Sequence, residues 1–458
     1  MENCLLRVLL VSMLSAHSSH ASSRLTNGNA AATRGDINRT VPDYVTRYAP
    51  LVWLHSEDLF RPSDILQHVR HTTPMVRMES IAIAGLPELD LDNLALLNTQ
   101  LDSSAVALTA NDDITALPAW LFGETPDESG RLHNATSCIV IIVESAEGSS
   151  DDVDAFYFYF YSYNRGANIT QVLAPIKSLI EDGLEDGMHF GDHVGDWEHN
   201  MVRFRNGQPT GIYYSQHSDG SAYDWDDTAL SKDDDRPLVY SAYGSHANYV
   251  SPGGHVHDSV LRDYCDAGQL WDPVSSAYFY HFDPVTSQLT RMFPSGSQEE
   301  SNFTSFLYFS GLWGDFQYPD DNPRQWTVPY FGLKRYVSGP TGPTTKQLVR
   351  KGLFPDHREK KSWIQWGVGV FMSLYPCCLR GWRVWVSGTI FIVIFVATVF
   401  GIGYAVKRCR FRKRGYKKVD DGEDIPLNNM EDMEDREDRE VGEDREDVAM
   451  HHTDADQR

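Results

Sequence analysis

The sequence predicts an all-β protein: a β-sandwich domain with loop insertions over residues 44–345, followed by one C-terminal transmembrane helix. Three observations carry this reading. Short aromatic and β-branched runs recur through 44–345, separated by Gly, Pro, Asn and Asp, with no long amphipathic helical pattern between them. Aromatic residues make up 12% of the chain, a composition that favours strands. Residues 384–406 carry no charge and are numerous enough to cross a bilayer.

The chain has 458 residues, enough for a large core. Its net charge of −24 argues against nucleic acid as a partner. The charge is uneven, with eight Lys or Arg and no acid in 407–418, and 17 acids against four Arg in 419–458.

Taken in order, residues 1–21 read as a secretory signal peptide, with an apolar run over 5–14 and small residues at Ser19 and Ala21. Residues 22–43 are Ser, Asn, Ala and Thr rich and read as a disordered leader. A first strand is expected over 49–55, then a short helix capped by Ser63. Residues 84–135 give few signals beyond a long insertion. Strands return over 137–143 and 155–163. In the second, Phe156, Phe158 and Phe160 alternate with Tyr157, Tyr159 and Tyr161. A run apolar on both faces is a central strand covered on both sides, in preference to an aromatic surface for sugar or lipid.

The next strand opens with His193-Val194-Gly195-Asp196-Trp197-Glu198-His199 and runs to 205. Side chains alternate along a strand, so Asp196 and Glu198 share a face, about 6–7 Å apart. Two carboxylates that close need a cation, a proton or a dipole between them. The pair suits an oxygen-preferring ion, Ca²⁺ or Mg²⁺. Asn206-Gly207 is a hairpin turn, and a return strand follows over 212–217. A two-residue turn places Asp196 opposite His217 and Glu198 opposite Ser215. Pro209 fits poorly in such a strand and is the place where the register would shift. The predicted metal ligands are Asp196, Glu198, His193 and His217. His199, Ser215, His246 and Asn248 form the surrounding polar set, the last two following the strand over 237–243.

Cys138 and Cys265 are the cysteines of the folded body. They read as a disulfide of an exported domain, the alternative being two buried free thiols. Residues 346–383 form a juxtamembrane segment. The span 384–406 has Trp382 and Trp385 at one end and Tyr404 at the other. The basic run after it places the C-terminus in the cytosol and the main domain in the lumen or outside. Sequons at Asn38, Asn134, Asn168 and Asn302 all precede the span. Residues 407–458 are a basic, then acidic, disordered tail. Tyr416 to Val419 matches the spacing of tyrosine-based sorting signals read by cytosolic adaptors.

Two landmarks carry a resemblance. One runs from Tyr48-Ala49-Pro50-Leu51-Val52-Trp53-Leu54-His55-Ser56 to Phe60-Arg61-Pro62-Ser63-Asp64. The other comprises Gly195-Asp196-Trp197-Glu198-His199, Tyr214-Ser215-Gln216-His217-Ser218, Tyr243-Gly244-Ser245-His246-Ala247-Asn248-Tyr249 and Asp263-Tyr264-Cys265-Asp266-Ala267-Gly268. Together they resemble the fungal vacuolar protein sorting-associated protein 62 family, which also has plant relatives. The resemblance implies a role in delivering proteins to the vacuole. The stretch around Asp196 also resembles the Gly-His-Arg-His-Asp-Trp-Glu heptad of the necrosis- and ethylene-inducing cytolysins, β-sandwiches that hold a divalent cation near glycolipid-contacting loops. His193, Asp196 and Glu198 match that heptad, while Gly195 stands at its second His and Ser218 at a later Gly.

The leading expectation is therefore a single-pass type I protein of the secretory and vacuolar membranes, with a cation site in its lumenal domain and a glycan, glycolipid or protein cargo as partner. The alternatives are a membrane-anchored hydrolase of glycan or lipid and a cytolysin-like glycolipid-binding module. No Gly-x-Ser-x-Gly, His-Glu-x-x-His or Cys-x-x-Cys motif supports the enzyme.

Overall fold

The aromatic strand is the centre of the structure. A computed structural model of the chain describes residues 40–356 except 77–78, 81–87, 100–105, 145–151, 173–176, 178–187, 218, 258–260, 298–300 and 328–333, together with residues 370 and 382–413. The signal peptide, Asn38, Tyr416 and Val419 lie outside the described residues. The chain divides into two units, Met1–Pro376 and Cys377–Arg458.

In the first unit the principal elements are β1 (Leu51–Leu54), α1 (Ile65–Arg70), β2 (Cys138–Glu144), β3 (Val153–Asn164), β4 (His193–Arg205), β5 (Gln208–Gln216) and β6 (Asp219–Asp224). They continue with β7 (Arg236–Ser241), β8 (Asn248–Tyr249), β9 (Gly253–His257), β10 (Leu261–Cys265), β11 (Gln269–Trp271), β12 (Ala277–Asp283) and β13 (Gln288–Met292). The larger sheet has the order β6-β5-β4-β3-β2-β12-β13. A second sheet runs from Lys232–Asp233 through β7 and β1 to β11, with β8 also paired to β7. Most neighbours are antiparallel, but β2 with β12 and β1 with β7 are parallel.

All twelve residues of β3 are buried. Alternation divides its rings between two cores. Tyr157, Tyr159 and Tyr161 pack between the sheets with Val52, Val239 and Trp271. Phe156, Phe158 and Phe160 face the other way, under Ile65, Leu94, Leu108, Phe306 and Trp313. A fully buried ring contributes roughly 1.5–3 kcal/mol by transfer from water, so this strand anchors both layers.

Several sequence expectations shift by a residue or two, each for a local reason. The cap of α1 is Asp64, whose carboxylate accepts from the Gln67 amide, while the Ser63 hydroxyl accepts from Ser162 of β3. The β4–β5 turn is as expected, with φ of 50° at Asn206 and 71° at Gly207, and Arg205 faces Gln208. A bulge between Pro209 and Gly211 then moves the register by one, so that Tyr214 faces Asn200.

The expected disulfide does not form. Cys138 and Cys265 are both buried and free. Cys138 lies in the core between the sheets, and Cys265 lies in a separate cluster with Tyr240 and Tyr249.

The start of β4 crosses the segment 313–314 at backbone contact. A Cβ on Gly195 would lie 1.9 Å from the Trp313 carbonyl oxygen, and one on Gly314 would lie 1.8 Å from that of Val194. Gly195 also has a φ of 71°, in the left-handed region.

The folded unit extends beyond residue 345. Leu348 belongs to the outer core, and the Arg350 guanidinium lies 4.8 Å from the ring centres of both Phe156 and Tyr213. Arg203 of β4 pairs with Asp154 and donates to the carbonyls of Arg350, Lys351 and Gly352. In the second unit, α2 (Arg383–Lys413) includes a stretch, Trp385–Arg410, long and apolar enough to cross a membrane.

Candidate functional site

The first half of the site is built on β4. Alternation places Asp196 and Glu198 on one face, as the sequence requires, and both are buried. Asp196 Oδ2 accepts from Asn164 Nδ2 at 3.1 Å and pairs with His246 Nδ1 at 2.9 Å. On the far side of the same imidazole, Nε2 faces the Phe60 carbonyl at 3.2 Å and Asp58 Oδ2 at 3.6 Å. The ring is stacked on Tyr161, 3.8 Å between centroids. Both nitrogens face oxygen acceptors, so the geometry calls for an imidazolium. Burial opposes the charge on His246, but Asp196 and Asp58 outweigh it and raise the pKa. Burial likewise pushes Asp196 up, and His246 with His193 brings it below the usual range.

Glu198 takes the opposite course. Burial and the neighbouring Asp196 push it up to about 8, against the pull of the Ser215 hydroxyl that donates to it. The Ser215 oxygen also accepts from the His199 amide at 2.9 Å. Asn248 Nδ2 reaches the His199 carbonyl at 3.3 Å.

His199 itself is not part of this cluster. Its ring lies on the opposite face of β4, 5.1 Å from Phe158, with Nε2 3.0 Å from an Arg350 nitrogen. An N–H of Arg350 requires an acceptor there, so the imidazole is neutral. Burial pushes its pKa well down, with Arg350 adding to the effect. His193 is half-buried and bonds through Nδ1 to the Gly195 carbonyl at 2.7 Å.

The second half lies where β5, β9 and β10 meet. His217, at φ 53°, does not turn back to Asp196; its Nε2 lies 2.8 Å from Asp263 Oδ2. His257 Nε2 lies 3.2 Å from Asp263 Oδ1. Tyr249 donates to Asp263 Oδ2 at 2.9 Å and Ser245 to Oδ1 at 3.2 Å. Burial raises the Asp263 pKa, and the two histidines more than reverse this, so it stays ionised. The loop 244–249 joins the halves: Ser245 holds Asp263 by its hydroxyl and Asn164 by its carbonyl, and His246 holds Asp196.

The expected ligand set is thus divided. Asp196 and Glu198 stay together with His193 nearby, while His217 joins Asp263 and His257. A Ca²⁺ site needs six to eight oxygen donors. Here the groups facing Asp196 are N–H donors from Asn164 and His246, and a hydroxyl donates to Glu198. These side chains satisfy the carboxylates with protons and do not assemble an oxygen cage. Asp58, Asn164, Tyr161, His257 and Asp263 were not among the expected site residues. Asp263 did stand in a motif carrying the family resemblance, which was its available signal. Asn134 and Asn302 are exposed, and Asn168 is half-buried with its side-chain Oδ1 accepting from the Thr170 amide.

Fold and site together define a β-sandwich protein with a buried carboxylate–imidazole network and a separate apolar helix. Residues 129–264 match the family model for vacuolar protein sorting-associated protein 62. The chain is 35% identical over 360 residues to TDA6, a Saccharomyces cerevisiae protein named for vacuolar protein sorting, covering 72% of this chain and 71% of that one. It is 32% identical over 341 residues to the Saccharomyces cerevisiae vacuolar protein sorting-associated protein 62, covering 68% of this chain and 67% of the relative. The chain belongs to the vacuolar protein sorting-associated protein 62 family. Among solved structures it aligns with Necrosis and Ethylene inducing Protein 2 from the causal agent of cocoa's Witches Broom disease. That match has 13% identity over 47% of this chain and 71% of that one, with a TM-score of 0.21. It also aligns with the non-toxic HaNLP3 protein at 11% identity over 59% and 87%, with a TM-score of 0.24.

Proposed function

We propose that this protein acts in vacuolar protein sorting as a single-pass type I membrane protein with its β-sandwich in the lumen. The observation that carries the reading is the identity of 35% and 32%, across about two thirds of both chains, to relatives named for that process. The uncharged stretch 384–406 and the basic run directly after it support the orientation. The network around Asp196 supports a lumenal domain built for acidic surroundings. His246 carries a proton between Asp196 and Asp58, and Glu198 keeps its own up to about pH 8. We read this network as structural support that locks the buried 244–249 segment against the larger sheet, in preference to a Ca²⁺ or Mg²⁺ centre.

The test is the fate of a soluble vacuolar hydrolase in cells lacking the chain. Part of the hydrolase should escape to the medium. The wild-type chain should restore retention, and Asp196→Asn should restore it incompletely. Full retention in cells lacking the chain would remove the proposal.

A further inference from the structure

We propose that His217, Asp263 and His257 form a binding site for a divalent transition-metal ion of the zinc type, with three protein ligands and a fourth position open to solvent. Among the described residues, this is the set of three His, Cys, Asp or Glu side chains whose ligand atoms all lie within 4.8 Å of one another. In a tetrahedral zinc site, with bonds of about 2.0–2.1 Å, ligand atoms stand roughly 3.3 Å apart. Here His217 Nε2 is 2.8 Å and His257 Nε2 is 3.2 Å from oxygens of the one carboxylate. Both His–carboxylate separations are thus within about half an ångström of that spacing.

The donor chemistry favours zinc over Ca²⁺ or Mg²⁺. Two imidazoles and one carboxylate suit zinc, whereas the hard ions require mainly oxygen. The two rings are stacked at 3.9 Å and 19°, which presents both Nε2 atoms to the same carboxylate. Binding would place each ring's proton on Nδ1 and turn the Nε2 lone pair to the metal. The carboxylate is already oriented by the Tyr249 and Ser245 hydroxyls, the kind of supporting bond that metal ligands use. Exposure falls across the site from 28% at the His217 side chain through 13% at His257 to 1% at Asp263. The inner ligand is therefore the anion, and the outer imidazoles border solvent, where a water or a ligand atom would take the fourth position. The ion would fasten the end of β5 to the β9–β10 hairpin. This inference stands apart from the sorting role and fails or holds independently of it.

The experiment uses the full chain in detergent, with His451→Ala and His452→Ala so that the paired tail histidines do not contribute. One equivalent of Co²⁺ should give the visible absorption of a four- or five-coordinate ion, displaced by Zn²⁺. Zn²⁺ should raise the melting temperature, and Mg²⁺ and Ca²⁺ should not. His257→Ala should weaken Zn²⁺ binding about tenfold or more, read on the folded variant. Replacement of the remote, exposed His133 should leave affinity as in the parent. If His257→Ala does not fold, His217→Ala carries the same comparison, and the cobalt spectrum of the parent needs neither variant. A cobalt spectrum identical to that of the free aqueous ion overturns the proposal, as does equal Zn²⁺ affinity in parent and folded His variant.

Discussion

His246 sits between two carboxylates, and the proton it holds has a consequence for stability. Its pKa is raised, so its contribution is complete below about 6.5 and fades as pH rises through the folded value. Glu198 is raised from 4.5 to about 8, so the folded state gains relative stability from its proton at low pH and loses it across that interval. Asp196 is lowered and works in the other direction, contributing above its ordinary value near 3.8 and failing only in stronger acid. The domain should therefore melt at a higher temperature at pH 5 than at pH 8. Each proton involved is worth at most about 1.4 kcal/mol per pH unit. Glu198→Gln, which keeps an oxygen for the Ser215 hydroxyl, should flatten much of the decline. Melting curves across pH 5–8 with the same slope in this variant would assign the effect elsewhere. The Asp196–Glu198 pairing was readable because it depends only on alternation within one strand. The same alternation sends His199 to the other face, a consequence the sequence reading did not draw. Asp58 and Asp263 were harder to find: Asp58 meets the amide of Gly244, 186 positions away, and no local period encodes that meeting.

At the scale of elements, β4 is held from both sides. One face supports the polar network, and the other receives His199, Met201 and the strap around Arg350. The aromatic alternation of β3 made the double coverage legible, because a strand apolar on both faces has to be buried on both. The strap was less legible. Residues 346–356 mix Lys, Arg and Asp with Leu and Phe, and resemble a linker until Arg203 is seen collecting three of their carbonyls. Arg350→Ala should lower unfolding stability by roughly 2–4 kcal/mol, through lost cation–π contacts and an unpaired Arg-facing imidazole. A urea midpoint equal to wild type would show that the strap adds nothing to the sheet. The register shift at Pro209 belongs to this scale too. The turn type was encoded in Asn206-Gly207, but the length of the bulge after it was not.

For the whole molecule, the fold and the long apolar helix were readable because each rests on composition sustained over many residues. Of the two readings open for Cys138 and Cys265, the fold selects the free thiols, because two cysteines bridge only if the fold brings them together. Here the larger sheet and the 240–265 region hold them in different cores. Sodium carbonate extraction should leave the full chain with the membranes, and a chain ending at residue 356 should move to the soluble fraction. Persistence of that shorter chain in the pellet would mean that the β-sandwich binds membranes by itself.

The crossing of Gly195 and Gly314 limits how this sequence can change. A Cβ on Gly195 would meet the backbone of Trp313 and one on Gly314 the backbone of Val194, and backbone atoms cannot be trimmed by substitution. A histidine at position 195 would meet the Trp313 carbonyl before it met any ligand. A side chain at position 195 is therefore closed to single substitutions. It would require the 313–314 segment to be rerouted first, a change of architecture preceding any change of chemistry.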